Sequence, residues 1–302
     1  MNFNYIFHTR NKGNTILAKL LENDIKTKEV LNWEGLNLFD FQASSCCQKT
    51  RIVLNLKGIP WKKHSINLIK AENYSKWYLG INPRGLVPTL VHNGTVLIES
   101  NNIITYLDEK FPEPSLIPKK YREGILQQLK LEDDLHMDLR TLTMRFVLPD
   151  FLTKKPSVAL ERSEKYNGTV GGIVDTKSKI NTEFWRLHAK CGITPEQVKE
   201  AVHKFQKTFK SLDESLKMNH FIMGDKLTLA DIGWFIYAHR LIAIGYPIKQ
   251  LHPHVYKWYE KLVLKSEFSK EIKDPIPLYI MRNLYNFFLK IRGKRLSDIA
   301  QI

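Results

Sequence analysis

Ser44-Ser45-Cys46-Cys47 stands between an apolar alternating run and a segment of helical character. Hydroxyls and thiols are thus gathered where a helix begins. A helix N-terminus offers unpaired N–H groups and partial positive charge, which suit a thiolate or another anion. A cysteine placed there has a lowered pKa. A serine there can instead donate to a bound thiolate, and holding such an anion two units below the ordinary thiol value is worth about 2.7 kcal/mol. A second chemical feature is Val87-Pro88, at the entry to a strand. Cis peptide bonds are nearly confined to X-Pro. A cis bond at Pro88 would turn the Val87 N–H and C=O outward, ready to pair with an extended peptide. Glu99-Ser100 then opens a helix just after the next strand. Each feature also has a structural reading. Ser44, Ser45 and the Glu99-Ser100 pair can be plain helix caps, Cys46 a small core residue, and Cys47 packing.

The elements that must position these residues are readable. Leu36–Phe41 alternates as a strand, Cys46–Lys57 is a helix ended by Gly58, and Trp61–Asn67 is a second strand. Tyr74–Leu79 is a short irregular helix. Two further strands flank Asn93-Gly94, a strong hairpin signal, and Asn101–Phe111 is a helix stopped by Pro112 and Pro114. The order β-α-β-α-β-β-α makes one compact α/β unit, with a parallel crossover between its first two strands.

After Pro118 the pattern turns helical and no convincing strand is visible. Tyr121–Val147 has helical spacing, and Pro149–Asn181, polar and glycine-containing, reads as an irregular excursion. Thr194-Pro195-Glu196 launches a helix to Lys217. Thr228 and Asp231 are spaced as a capping box for the apolar helix Ile232–Ile242. Val255–Leu264 is one more helix. The expected divisions are an N-terminal extension 1–35, an α/β domain 36–118, an all-helical domain 119–272 and a basic tail 273–302. The extension is polar, with a weakly amphipathic piece at Thr15–Leu21, and the tail mixes large apolar with basic residues, which suits a C-terminal helix packing on its own body, with a membrane-surface helix as the alternative.

At 302 residues, 43% hydrophobic and 25% charged, the composition is that of a soluble globular chain of two domains. No stretch is long and apolar enough to span a bilayer. Three cysteines, two of them adjacent, are too few for a disulfide framework and suit a reducing cytoplasm. The net charge of +15 comes from scattered lysines without a nucleic-acid-binding motif, so nucleic acid is not expected as a partner.

Taken together, Ser44-Ser45-Cys46, Arg51, Lys57-Gly58-Ile59, Val87-Pro88-Thr89-Leu90 and Glu99-Ser100 resemble the thioredoxin-like domain of cytosolic glutathione transferases, the zeta class above all. Thr228-Leu229-Ala230-Asp231 is similar to the capping motif of the family's helical domain. Glu183-Phe184-Trp185-Arg186 and Leu212-Asp213-Glu214-Ser215-Leu216 resemble the bacterial β-aryl-etherase transferases. The likeness covers about Leu36–Phe268.

The resemblance implies a thioredoxin-like N-terminal domain followed by an all-α bundle, acting on glutathione without a metal, as a cytoplasmic homodimer. It implies that Ser44 stabilises the glutathione thiolate. It also implies that Val87 pairs with the cysteinyl unit beside Pro88, and that Glu99 and Ser100 hold the γ-glutamyl group, with Ser45 nearby. Cys46 falls where the related reductive dehalogenases carry a catalytic cysteine. The expected reaction is thiolate attack on a small apolar electrophile: conjugation, ether cleavage, dehalogenation or isomerisation. A non-catalytic adaptor on the same fold, in weak contact with a membrane surface, stands as the alternative. A monothiol reductase using Cys46 is a third reading, since adjacent cysteines are not spaced as Cys-x-x-Cys.

Overall fold

The computed structural model describes residues 19–302. Most of the Thr15–Leu21 piece lies outside them. Strand β1 (Leu36–Asp40) leads through helix α1 (Ser45–Lys57) to β2 (Lys62–Ser65), then α2 (Lys76–Leu79), β3 (Thr89–His92), β4 (Thr95–Ile98) and α3 (Ser100–Lys110). The sheet order is β2-β1-β3-β4, with β1 parallel to β2 and antiparallel to β3. This is the β-α-β-α-β-β-α order expected from the sequence.

Strand alternation decides which layer each side chain joins. Leu36, Leu38, Leu90 and Leu97 pack toward α1 and α3. Phe39, Val91, Val96 and Ile98 face the other way, against Tyr78 and Ile81. Leu20, Ile25 and Val30 complete that second layer, so this part of the N-terminal extension is not a polar lead-in but part of the domain's core. The Leu20 N–H donates to the Val96 carbonyl at 3.0 Å. Asn93 and Gly94 both have positive φ, as a tight hairpin turn requires. Gly94 is also held against the extension, because a Cβ there would lie 2.2 Å from the Leu31 carbonyl oxygen.

The helical half begins with α4 (Arg122–Asp134) and α5 (His136–Phe146). The helical pattern of Tyr121–Val147 is broken at Leu135, whose ψ of 4° leaves the helical region. The Pro149–Asn181 excursion is not irregular. It contains α6 (Asp150–Thr153), α7 (Ser157–Lys165), a hairpin of β5 (Thr169–Val170) and β6 (Ile173–Val174), and the start of α8 (Lys177–Cys191). Two-residue strands carry no readable alternation. This hairpin is held from outside by the Asp24 carboxylate, which accepts from the Gly171 N–H at 2.9 Å and the Gly172 N–H at 3.0 Å.

Next come α9 (Pro195–Met218), α10 (Leu229–Ala243), α11 (Ile248–Leu251), α12 (Pro253–Val263) and α13 (Ser266–Ser269). α10 is apolar on nearly every side and forms the centre of the bundle. The basic tail is two helices, α14 (Ile276–Ile291) and α15 (Leu296–Ala300).

The Thr228–Asp231 capping box is present. The fully buried Asp231 carboxylate accepts from the Ile222 N–H, the Thr228 N–H and hydroxyl, and the Trp258 indole at 2.8–3.0 Å. It therefore ties two separate segments, the turn at Ile222 and α12 through Trp258, to the start of α10. Asp231→Ala would orphan four buried donors, and unfolding free energy should fall by roughly 3–5 kcal/mol. Urea unfolding checks this: the midpoint should drop while the slope stays unchanged.

Candidate active site

The strand register gathers the sequence's chemical features at one end of the sheet. Phe39 on β1 pairs with Thr89 on β3, and Thr89 pairs with Ile98 on β4. The chain leaves β1 toward Ser44, enters β3 from Val87-Pro88 and leaves β4 toward Glu99-Ser100. With strands about 4.8 Å apart, the three segments emerge side by side.

The β1–α1 turn is fixed through its carbonyls. Arg51 donates to the Gln42 carbonyl at 3.0 Å while pairing with Asp40 and Glu271. Buried Arg240 donates to the Ala43 carbonyl and to Gln48 Oε1 at 2.7 Å. Burial pushes the Arg240 pKa down to about 10, so it remains charged at neutral pH. Ser44 has extended backbone and caps α1, its Oγ accepting from the Cys47 N–H at 3.4 Å. Ser45, read from the sequence as a cap, is instead the first helical residue. A capping hydroxyl accepts and still has its own proton to donate, so Ser44 can cap α1 and donate to a bound thiolate at the same time.

Cys46 lies in the first turn of α1, partly buried, with Sγ 4.0 Å from His136 Nδ1. Burial resists ionisation of the thiol, but His136, followed by Lys49, outweighs it and holds the pKa below the ordinary thiol value. Burial likewise pushes His136 down, and the Cys46 charge raises it above its usual value. Arg140 donates to His136 Nε2 at 3.3 Å, which leaves the proton on Nδ1, facing the sulfur. Tyr237 Oη also lies 3.2 Å from Nδ1. Cys47 points away into the sheet's second layer, where burial raises its pKa.

At β3 the Val87-Pro88 bond is cis. Among the described residues nothing hydrogen-bonds the Val87 N–H or C=O. The preceding loop is pinned: Tyr78 Oη and Asn82 Nδ2 donate to the Leu86 carbonyl at 2.6 and 2.9 Å, and Asn73 donates to the Gly85 carbonyl at 2.7 Å. Glu99 sits at the head of α3 with φ +66° and makes no side-chain cap. Its carboxylate pairs instead with Arg84, which also binds Asp175 at 2.9–3.1 Å. Burial would raise the Glu99 pKa, but Arg84 and Lys177 hold it below the usual carboxylate range. Ser100 is the first residue of α3 and is buried.

Facing this end of the sheet is a helical wall with two cations. Arg140 donates to Asn181 Oδ1 at 2.7 Å and lies over the Phe184 ring at 5.5 Å. Lys155 sits over the Trp185 ring at 5.1 Å, and burial together with Arg140 pushes its pKa down to about 8. Neither has a carboxylate partner among the described residues. His136, Arg84, Arg140 and Asp175 were not singled out in the sequence, because His136 lies 90 residues from Cys46, Asp175 91 from Arg84 and Arg140 41 from Asn181. Among the described residues no cluster of His, Cys, Asp and Glu is arranged to hold a metal ion.

The glutathione S-transferase N-terminal domain family matches residues 38–115, and the glutathione S-transferase C-terminal domain family matches residues 178–264. The chain belongs to the glutathione S-transferases. Among curated relatives, glutathione S-transferase Z1 of Arabidopsis thaliana is 43% identical over 86 residues, which is 28% of this chain and 39% of that protein. A maleylpyruvate isomerase of Ralstonia sp is 39% identical over 83 residues, again 28% of this chain and 39% of that protein. The chain thus matches about two fifths of its curated relatives' length. In three dimensions it is similar to β-etherase LigF from Sphingobium sp. strain SYK-6, with a TM-score of 0.66 and 26% identity over 78% of this chain and 98% of that one. A Drosophila mojavensis glutathione transferase homologue with bound glutathione shares the fold, with a TM-score of 0.61 and 18% identity over 84% of this chain and 98% of that one.

If the His136 proton stabilises the Cys46 thiolate, His136→Asn should raise the thiol pKa toward the ordinary value of about 8.5. The rate of iodoacetamide alkylation against pH, with Cys47 and Cys191 changed to Ser, should show its midpoint moving upward.

Proposed function

We propose that this chain is a glutathione transferase whose thiolate attacks an electrophilic carbon lodged against the helical wall. The observation that carries the reading is the convergence of three features at one sheet end: the Ser44 turn, the free Val87 backbone and the Glu99-Ser100 helix start. In this reading the cysteinyl unit of glutathione pairs with the Val87 N–H and C=O as a short extended strand. The Glu99 carboxylate, aimed by Arg84, takes the γ-glutamyl ammonium, and Ser100 with the α3 N-terminus takes the carboxylate. The Ser44 hydroxyl donates to the glutathione sulfur and keeps it ionised at neutral pH.

Arg140 and Lys155 bear on the second substrate. A wall carrying two cations without carboxylate partners suits an electrophile with an anionic end as well as an apolar body, rather than a wholly apolar one. The thiolate attack proposed here is compatible with isomerisation, named for the Ralstonia relative, and with ether cleavage, named for the Sphingobium neighbour.

The Cys46–His136 pair favours a second reading in the same site. The Cys46 thiolate would attack the glutathionyl sulfur of a mixed disulfide, breaking the S–S bond and releasing the other partner as a thiolate. A second glutathione would then displace Cys46 and leave as oxidised glutathione.

Two substitutions separate the readings. Ser44→Ala should lower conjugation kcat/KM by about 10- to 100-fold near pH 7 and move its pH midpoint upward, with a cap loss of about 1 kcal/mol in stability. Cys46→Ser should leave conjugation standing and abolish reduction of a glutathione mixed disulfide. Glutathione at about 100 times its Kd should stabilise the protein by about 2.7 kcal/mol in thermal unfolding. Absence of that stabilisation, together with no retention on immobilised glutathione, would leave the adaptor reading in place.

A further inference from the structure

Helix α14 is turned the wrong way round for a helix that serves only its own fold. At 3.6 residues per turn, Ile276, Ile280, Leu284, Phe287, Phe288 and Ile291 occupy one arc of about 120°. That arc faces solvent, with Ile276 74%, Phe287 62% and Ile291 70% exposed. The opposite side carries the contacts to the body. Leu289 is buried, Tyr285 donates to the Arg145 carbonyl at 3.4 Å, and Arg282 pairs with Asp274. The chain then turns back, and α15 packs Leu296 against the bundle. So α14 is anchored at both ends of its sequence and held with its most apolar face outward.

Charge identifies what would cover that face. Lys270–Ile302 contains seven lysines and arginines against three acidic residues. Each acidic residue is already engaged: Glu271 with Arg51, Asp274 with Arg282 and Asp298 with Arg295. Lys273, Lys290, Arg292 and Lys294 are exposed and have no ion pair among the described residues. Lys290, Arg292 and Lys294 border the C-terminal end of the apolar arc, and Lys273 precedes its start. A second copy of this chain, itself carrying a net charge of +15, would bring one basic rim against another. An anionic bilayer meets both halves of the pattern: acyl chains take the apolar arc and headgroups take the cations. Among the described residues no helix is long and apolar enough to cross a membrane, so the helix would lie in the interface plane.

We propose that α14 is a membrane-docking face that seats the protein on anionic lipid surfaces by lying along the interface. The test is co-sedimentation of the full chain with vesicles of phosphatidylcholine, with and without phosphatidylserine. Binding should be at least tenfold stronger with phosphatidylserine at about 0.1 M salt and should be largely lost at about 1 M. Ile280→Ser with Phe287→Ser, both outward-facing, should reduce binding at least tenfold while leaving the thermal midpoint unchanged. Lys290→Glu with Lys294→Glu should do the same without touching the apolar arc. Equal binding to both kinds of vesicle, or charge reversal without effect, overturns the proposal. So does a failure to bind either vesicle combined with a concentration-dependent dimer that Ile280→Ser and Phe287→Ser abolish, since the face would then belong to a second copy.

Discussion

Lys49, one helical turn beyond Cys46 on α1, sends its ammonium into the junction of the two domains. There it donates to Glu132 at 2.8 and 2.9 Å and to Asn101 at 2.6 Å. Asn101 in turn donates to Glu132 and to the Leu129 carbonyl, both at 2.9 Å. Both charged side chains are buried. Such a pair contributes little net stability, yet losing one partner costs roughly 3–5 kcal/mol because the other charge is left alone. Its consequence is positional. It locks α1, α3 and α4 in one arrangement, and the break at Leu135 then starts α5 with His136, one turn after Glu132. Cys46 and His136, ninety residues apart in sequence, meet because the residues one turn from each are bonded to one another.

The same junction shapes the electrostatics of the site. Lys49 lowers the Cys46 pKa, whereas Glu132 raises it. Lys49 thus adds to His136 and the helix N-terminus in favouring the thiolate, and Glu132 opposes it more weakly. Arg140 adds a further constraint, because a guanidinium bonded to Nε2 both fixes the tautomer and opposes a second proton on the ring. The Cys46 charge outweighs that opposition and raises the His136 pKa above its usual value, so the histidine faces the sulfur as a proton donor suited to stabilising a thiolate in place.

The side of the site proposed to hold glutathione was legible in the sequence and the cysteine's partner was not, for a physical reason. Val87-Pro88, Asn93-Gly94, Gly58 and Thr228–Asp231 are local backbone devices, and each shows itself in the residues at hand: a proline, a turn-forming pair, a helix stop, a capping box. Ser44 was also local, but its neighbour was misread. Only the backbone angle at Ser44 shows that it, not Ser45, precedes the helix. His136, Arg84 and Asp175 act across long separations, where spacing carries no signal. The 149–181 segment looked irregular because its hairpin has almost no internal core. Its order comes from Asp24 and Arg84, which lie in another domain.

That borrowed order gives the hairpin a part in the site as well as in the fold. Asp175, just beyond β6, and Glu99, at the head of α3, share one guanidinium, that of Arg84. A glycine backbone at 171 and 172 is in turn fastened to Asp24 on the N-terminal extension. Two segments that compact sequence patterns would treat as decoration, the extension and the excursion, therefore converge on the carboxylate proposed to hold glutathione. Arg84 cannot relax toward solvent while Asp175 holds its far side, so Glu99 stays ionised and oriented although burial works against both. The positive φ of Glu99, a sparsely populated backbone conformation that costs a non-glycine residue about 1–3 kcal/mol, is sustained by this arrangement. The extension and the excursion are thus part of what keeps the site in shape before any ligand arrives.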